Sequence, residues 1–124
     1  MFEEVPSNLV SVVDDDASMC KMLTRMIGSV GLNVAAFTSA EEFLCSGCLA
    51  GSACLILDVD LPGMSGIDLQ QQLNDSSQHI PIIFISGQSD EQTRKRALKA
   101  GAAGFLNKPF SVDSLLAAIH AFVS

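Results

Sequence analysis

The chain has 124 residues, the size of one domain, and folding buries roughly two-thirds of the surface of a chain this long without staples. With 48% apolar residues and Gly and Pro scattered along it, this is no disordered segment, and its charge of −7 excludes non-specific attraction to nucleic acid or anionic membrane. No apolar run approaches the ~20 residues that span a bilayer, and Met1-Phe2-Glu3-Glu4 lacks the order of an export signal, so a cytoplasmic location is expected.

Short apolar runs alternate with longer helical stretches. Leu9 to Val13 is the first expected strand. Met19, Leu23, Met26, Ile27 and Val30 recur at helical spacing from Ala17 to about Val30, and Gly31 closes that helix. Asn33 to Phe37 is a second strand. Ser39-x-x-Glu42 matches a capping box and opens a short helix through Leu44. Ala53 to Leu57 is almost wholly apolar, as suits a central parallel strand buried on both faces. Leu61-Pro62-Gly63-Met64-Ser65-Gly66 is a loop, followed by a helix from Ile67 to about Leu73. Pro81 to Ile85 is a fourth strand, Glu91 to Ala100 a helix stopped by Gly101, and Ala103 to Leu106 a fifth strand. Ser111 caps a last helix carrying Val112, Leu115, Leu116, Ile119 and Phe122.

Five βα units in a row predict a parallel sheet with helices on both faces, a flavodoxin-like (βα)5 sandwich of strand order 2-1-3-4-5. One domain over 1–124 is expected, with its core at about 9–123 and no output domain in the chain. Ligands of such sheets sit beyond the carboxyl ends of the strands. There the first strand meets Asp14-Asp15-Asp16, the third Asp58, the fourth Ser86-Gly87, and the fifth Asn107-Lys108-Pro109.

The topology therefore brings Asp14, Asp15 and Asp58 together with Ser86 and Lys108. Converging carboxylates repel one another unless a cation compensates. An all-oxygen set suits Mg²⁺, which takes one or two carboxylates plus water and phosphate oxygens. An Asp carboxylate can act as a nucleophile and form an aspartyl phosphate, while a lysine ammonium supplies a second positive point. Gly87 leaves room for the entering group, and a cis Lys108-Pro109 bond would aim the lysine inward. Asp16 is read as a helix cap. Cys45-Ser46-Gly47-Cys48 is formally C-x-x-C, but it lacks a second pair or histidine ligands, so Cys20, Cys45, Cys48 and Cys54 are read as ordinary thiols.

Val12-Val13-Asp14-Asp15-Asp16, Leu57-Asp58-x-x-Leu61-Pro62-Gly63-Met64-Ser65-Gly66, Ile85-Ser86-Gly87 and Phe105-x-x-Lys108-Pro109-Phe110 closely resemble the motifs of two-component response-regulator receiver domains. The resemblance runs in order from about Leu9 to about Phe122. It implies that Asp58 is the phospho-acceptor in a phosphorelay. Asp14 and Asp15 would bind Mg²⁺ together with Asp58 and the backbone carbonyl of Asp60, with Mn²⁺ able to substitute. Ser86 and Lys108 would contact the phosphoryl group, and Phe105 would change rotamer with Ser86. The implied donor is a phosphohistidine on a sensor histidine kinase or phosphotransfer protein. Phe37-x-Ser39-Ala40-Glu41-Glu42-Phe43 and Ala100-Gly101-Ala102 are similar to the subfamily whose receivers precede a helix-turn-helix DNA-binding domain.

Asp60 departs from that subfamily, which often has a basic residue there, and is expected to alter phosphoryl lifetime or metal affinity. The implied signal leaves through the fourth helix, fifth strand and fifth helix. That face carries Arg94-Lys95-Arg96, Lys99 and Asp113, and a homodimer formed on phosphorylation is expected through it. The implied role is regulatory, with the chain catalysing only its own phosphorylation and dephosphorylation. Two alternatives stay open. Asp58-Val59-Asp60 also matches the D-x-D of haloacid-dehalogenase-like phosphatases, although only 66 residues follow Asp58. A receiver fold can also serve as a phosphorylation-independent interaction module.

Overall fold

The computed structural model describes residues 8–87 and 91–123; the start Met1–Glu4, read above for an export signal, lies outside them. Five strands and five helices alternate: β1 (Leu9–Val13), α1 (Ala17–Gly28), β2 (Asn33–Phe37), α2 (Ala40–Ser46), β3 (Cys54–Asp58), α3 (Gly66–Asp75), β4 (Ile82–Ser86), α4 (Glu91–Lys99), β5 (Gly104–Asn107) and α5 (Val112–His120). The strands are all parallel, in the order β2-β1-β3-β4-β5. No helix among the described residues is long and apolar enough to cross a membrane.

The apolar runs read as central strands are buried throughout: every residue of β3 and of β4 is below the surface. Their side chains alternate between two cores. Leu55, Leu57 and Phe84 face a core closed by Phe43 of α2, Leu69 and Leu73 of α3 and Ala97 of α4. Ile56, Ile83 and Ile85 face the other, closed by Leu23 and Ile27 of α1 and Leu115 and Ile119 of α5. Side chains pointing alternately to opposite faces explain why these strands show no polar alternation.

Several boundaries differ from the sequence reading. Helix α1 stops at Gly28, short of Val30, because the chain turns where Gly31 donates to the Gly28 carbonyl; Val30 is left exposed. Gly31 takes φ +89°, a conformation that favours glycine. Helix α3 begins at Gly66, one residue earlier than expected, because Ser65 and Asp68 form a reciprocal capping box, and it runs on to Asp75. The box expected at Ser39 is only half made: Ser39 Oγ accepts from the Glu42 amide, but the Glu42 carboxylate turns to the Thr38 amide at 2.8 Å. Phe122 lies beyond the end of α5 and is exposed.

All four cysteines are free. Cys20 and Cys54 are buried, and burial pushes both thiols up, Cys54 to about 11, so they pack as small apolar groups.

Candidate functional site

Register decides which polar groups meet. Val13 of β1 lies level with Leu57 of β3, so Asp14 and Asp58 follow the same line across the sheet. Asp58 lies level with Ile85, and Ser86 one step further lies level with Asn107. Backbone bonds continue the pairing past the strand ends, from the Asp14 amide to the Phe37 carbonyl at 3.0 Å and from the Lys108 amide to the Ser86 carbonyl at 2.8 Å.

The side chains converge accordingly. Carboxylate oxygens of Asp14, Asp15 and Asp58 lie within 4.8 Å of one another. Asp14 is fully buried, Asp58 is 4% exposed, and Asp15 faces solvent. Lys108, which follows β5 and forms a cis bond to Pro109, reaches between the two buried acids, with Nζ 3.2 Å from Asp14 Oδ2 and 3.5 Å from Asp58 Oδ2. The opposite oxygens receive local amides: Asp16 N–H donates to Asp14 Oδ1 at 2.9 Å, and Asp60 N–H to Asp58 Oδ1 at 3.0 Å. Asp16 itself caps α1, accepting from the Ser18 and Met19 amides.

Burial pushes the Asp58 carboxyl up to about 6; the nearby Asp14 charge adds to this, against the lowering by the Asp60 amide and Lys108. Burial alone would lower Lys108, but the Asp58 and Asp14 carboxylates outweigh it and hold the ammonium above its usual value. One lysine thus compensates part of the charge of three acids. What remains is an oxygen-only, electron-rich cleft, the donor set a hard divalent cation takes.

Ser86 supplies an independent sign of an incomplete site. Its hydroxyl is buried and has no hydrogen-bond partner among the described residues. A buried hydroxyl without a partner costs free energy, and one beside a cluster of acids is placed to receive an arriving oxygen. Phe105 of β5 is half-buried, its ring 6.0 Å from that of Phe84. Asp60 is exposed.

Asp14, Asp15, Asp58, Ser86 and Lys108 lie together at this edge, while Phe105 sits further back in β5, level with Phe84. The sequence reading named Gly66 as a loop and motif residue but gave it no role. A Cβ there would lie 2.3 Å from the Asp58 carbonyl, so the first residue of α3 has to be glycine for the loop to close behind Asp58. The reading also gave no role to Glu41, whose Oε2 accepts from the Met64 amide at 3.2 Å. In the C-x-x-C motif, Cys45 is exposed on α2 and Cys48 lies half-buried beyond it, both free, while the group of three possible metal ligands among the described residues is Asp14, Asp15 and Asp58.

Comparison with known proteins agrees with this geometry. The family model described as response regulator receiver domain matches residues 10–120. Nodulation protein W of Bradyrhizobium diazoefficiens is 50% identical over 113 residues, 91% of this chain and 50% of that protein. The response regulator protein TodT of Pseudomonas putida is 44% identical over 93% of this chain and 51% of its own. The chain thus spans about half the length of the curated relatives it matches. Among solved structures, the response regulator StyR superposes with a TM-score of 0.87 at 43% identity, covering 96% of this chain and 60% of that one. FixJ-N superposes at 0.81 and 35% identity, covering 90% of both. The chain belongs to the response regulator receiver domain family, the regulatory phosphorelay component of two-component systems.

Proposed function

We propose that Asp58 accepts a phosphoryl group from a phosphohistidine of a sensor histidine kinase or phosphotransfer protein, and that the acyl phosphate resets the α4-β5-α5 face. The observation that carries this reading is the pair of buried acids, Asp14 and Asp58, bridged by Lys108 next to a buried hydroxyl with no partner. In the transfer, an Asp58 oxygen bonds to phosphorus as the donor's N–P bond breaks, and the electron pair of that bond stays on the histidine nitrogen, which leaves as neutral imidazole when the other ring nitrogen carries the proton. Lys108 stands where negative charge collects, and the Ser86 hydroxyl gains an acceptor in a phosphoryl oxygen. Asp14, Asp15, Asp58 and the Asp60 carbonyl would hold Mg²⁺ or Mn²⁺, which when bound neutralises charge on the transferring group. The Asp60 side chain, exposed at the mouth, would tune how long the phosphoryl group survives.

Downstream, movement of Ser86 toward the phosphoryl group frees space that the Phe105 ring fills, a local charge change biasing a two-state element. The face so altered pairs two phosphorylated copies and controls an output domain or a partner; the curated relatives are about twice as long as this chain. A phosphatase of the haloacid-dehalogenase type would leave the Asp14–Asp15 pair without a role.

The test is incorporation of phosphate from acetyl phosphate or phosphoramidate, with and without Mg²⁺, read by intact mass. The expected result is one phosphoryl group per chain that requires Mg²⁺ and is lost in Asp58→Asn. No incorporation from these donors or from histidine kinases would overturn the reading in favour of a phosphorylation-independent docking module. A beryllofluoride-treated sample that sediments as pure monomer would remove the dimer from the proposal.

A further inference from the structure

The loop between β3 and α3 starts just after Asp58 and carries the Asp60 carbonyl. Its two ends are fixed locally. The Val59 amide donates to the Ile85 carbonyl at 3.0 Å, and the Gly66 amide donates back to the Val59 carbonyl at 3.1 Å. Between them, Pro62 has no amide to give, and Gly63 takes φ +72°. The Asp60 amide bonds back to Asp58 Oδ1 at 3.0 Å and the Ser65 amide forward to Asp68 Oδ2 at 3.2 Å; between them the Met64 amide reaches an element 23 positions away, donating to Glu41 Oε2 at 3.2 Å.

Glu41 and Glu42 are neighbours in the first turn of α2, with different tasks. Glu42 folds back on the start of its own helix and accepts from the Thr38 amide. Glu41 leaves its helix and lies against the loop so closely that a Cβ on Gly63 would sit 3.1 Å from its carboxylate. The backbone at Gly63 thus makes room for the same oxygen that the next amide binds. Leu61 shares one apolar core with Phe43 and Ala40 of α2, and Met64 packs against that core, so both apolar packing and the polar tie hold the loop.

We propose that Glu41 is a positioning residue for the phosphoryl-transfer site: through the Met64 amide it fixes the loop that presents the Asp60 carbonyl, and so sets metal affinity without touching the metal. This rests on the reading of the acidic cluster as a Mg²⁺ site. Partners bonded directly to a metal ligand are worth about 10–100-fold in metal affinity; Glu41 acts one step further out, through the loop, so its effect is expected to be no larger than the lower end of that range.

The experiment is calorimetric titration of Mg²⁺ into the unphosphorylated chain, with amide NMR spectra of residues 59–66, for wild type, Glu41→Ala, Glu41→Gln and Glu42→Ala. The expected result is Mg²⁺ binding weakened about tenfold in Glu41→Ala, with the loop resonances shifted. Glu41→Gln keeps a carbonyl for the Met64 amide and is expected to restore most of the affinity. Glu42→Ala is expected to lower the melting temperature with Mg²⁺ affinity unchanged. If Glu41→Gln binds Mg²⁺ as weakly as Glu41→Ala, the effect is one of charge, and the positioning role is overturned. Unchanged affinity in Glu41→Ala overturns it as well. A wild-type chain that binds no Mg²⁺ overturns the site reading and this role together.

Discussion

The two halves of the sheet edge are built differently. On the β1–β3 side, Asp14 and Asp58 are buried and fully engaged, each with one oxygen on a local amide and the other facing Lys108. On the β4–β5 side, the Ser86 hydroxyl has no partner among the described residues and the Phe105 ring is only half-buried. The acid side is held by these bonds, and the proposed phosphoryl transfer needs such fixed geometry, where small displacements are costly. The hydroxyl–aromatic side is left unsatisfied, and an unsatisfied group can change state when a charge arrives.

Breaking the acid side should have the largest effect. Lys108→Ala leaves two buried carboxylates facing each other, and removing one partner of a fully buried pair costs ~3–5 kcal/mol. The expected loss is smaller, because the Lys108 side chain is 23% exposed and water reaches it. Urea unfolding in metal-free buffer checks this, and added Mg²⁺ should recover part of the loss. Gly66→Ala comes next. The added methyl meets the Asp58 carbonyl at 2.3 Å, so β3 or α3 has to shift, at a cost of about 1–3 kcal/mol. The same variant should lose Mg²⁺ affinity, and unchanged stability together with unchanged affinity would contradict the close packing.

A third, smaller effect sharpens the comparison through pH. Asp58 holds its proton more tightly in the folded chain, to about 6, than an unburied Asp near 3.8. Between those values the native state binds more protons than the unfolded one, so metal-free stability falls as pH rises through the window and then levels off. The fall should be absent in Asp58→Asn, and a wild-type curve parallel to that variant's would show that the site does not strain the apo protein. The smallest effect belongs to the loose side. Ser86→Ala removes a hydroxyl with no partner, so stability should change by less than about 1 kcal/mol. Equilibrium unfolding checks this, while the amide spectrum of β5 should no longer respond to phosphorylation.

The fold was legible where burial forces a simple pattern. The apolar runs ending in Asp58 and Ser86 could only be central strands, and parallel topology then placed Lys108 beside Asp14 although 94 residues separate them. Helix ends were less legible, because they depend on side chains that choose between partners. Glu42 prefers the Thr38 amide to that of Ser39, and the Ser65–Asp68 box adds Gly66 to α3. The Glu41–Met64 contact left no mark in the sequence, since nothing in its spacing says which of two adjacent glutamates will leave its helix. The need for glycine at 66 follows from a backbone approach that only coordinates display.

In the proposed transfer the phosphoryl group sits on Asp58 and on no other acid of the cluster. The direct measurement is borohydride reduction of the chain after acetyl phosphate and Mg²⁺ treatment, followed by peptide mass spectrometry. Reduction of an acyl phosphate turns that aspartate into homoserine, and the account predicts the change at Asp58 alone. Homoserine at Asp14, Asp15 or Asp60, or none at any position, would contradict it.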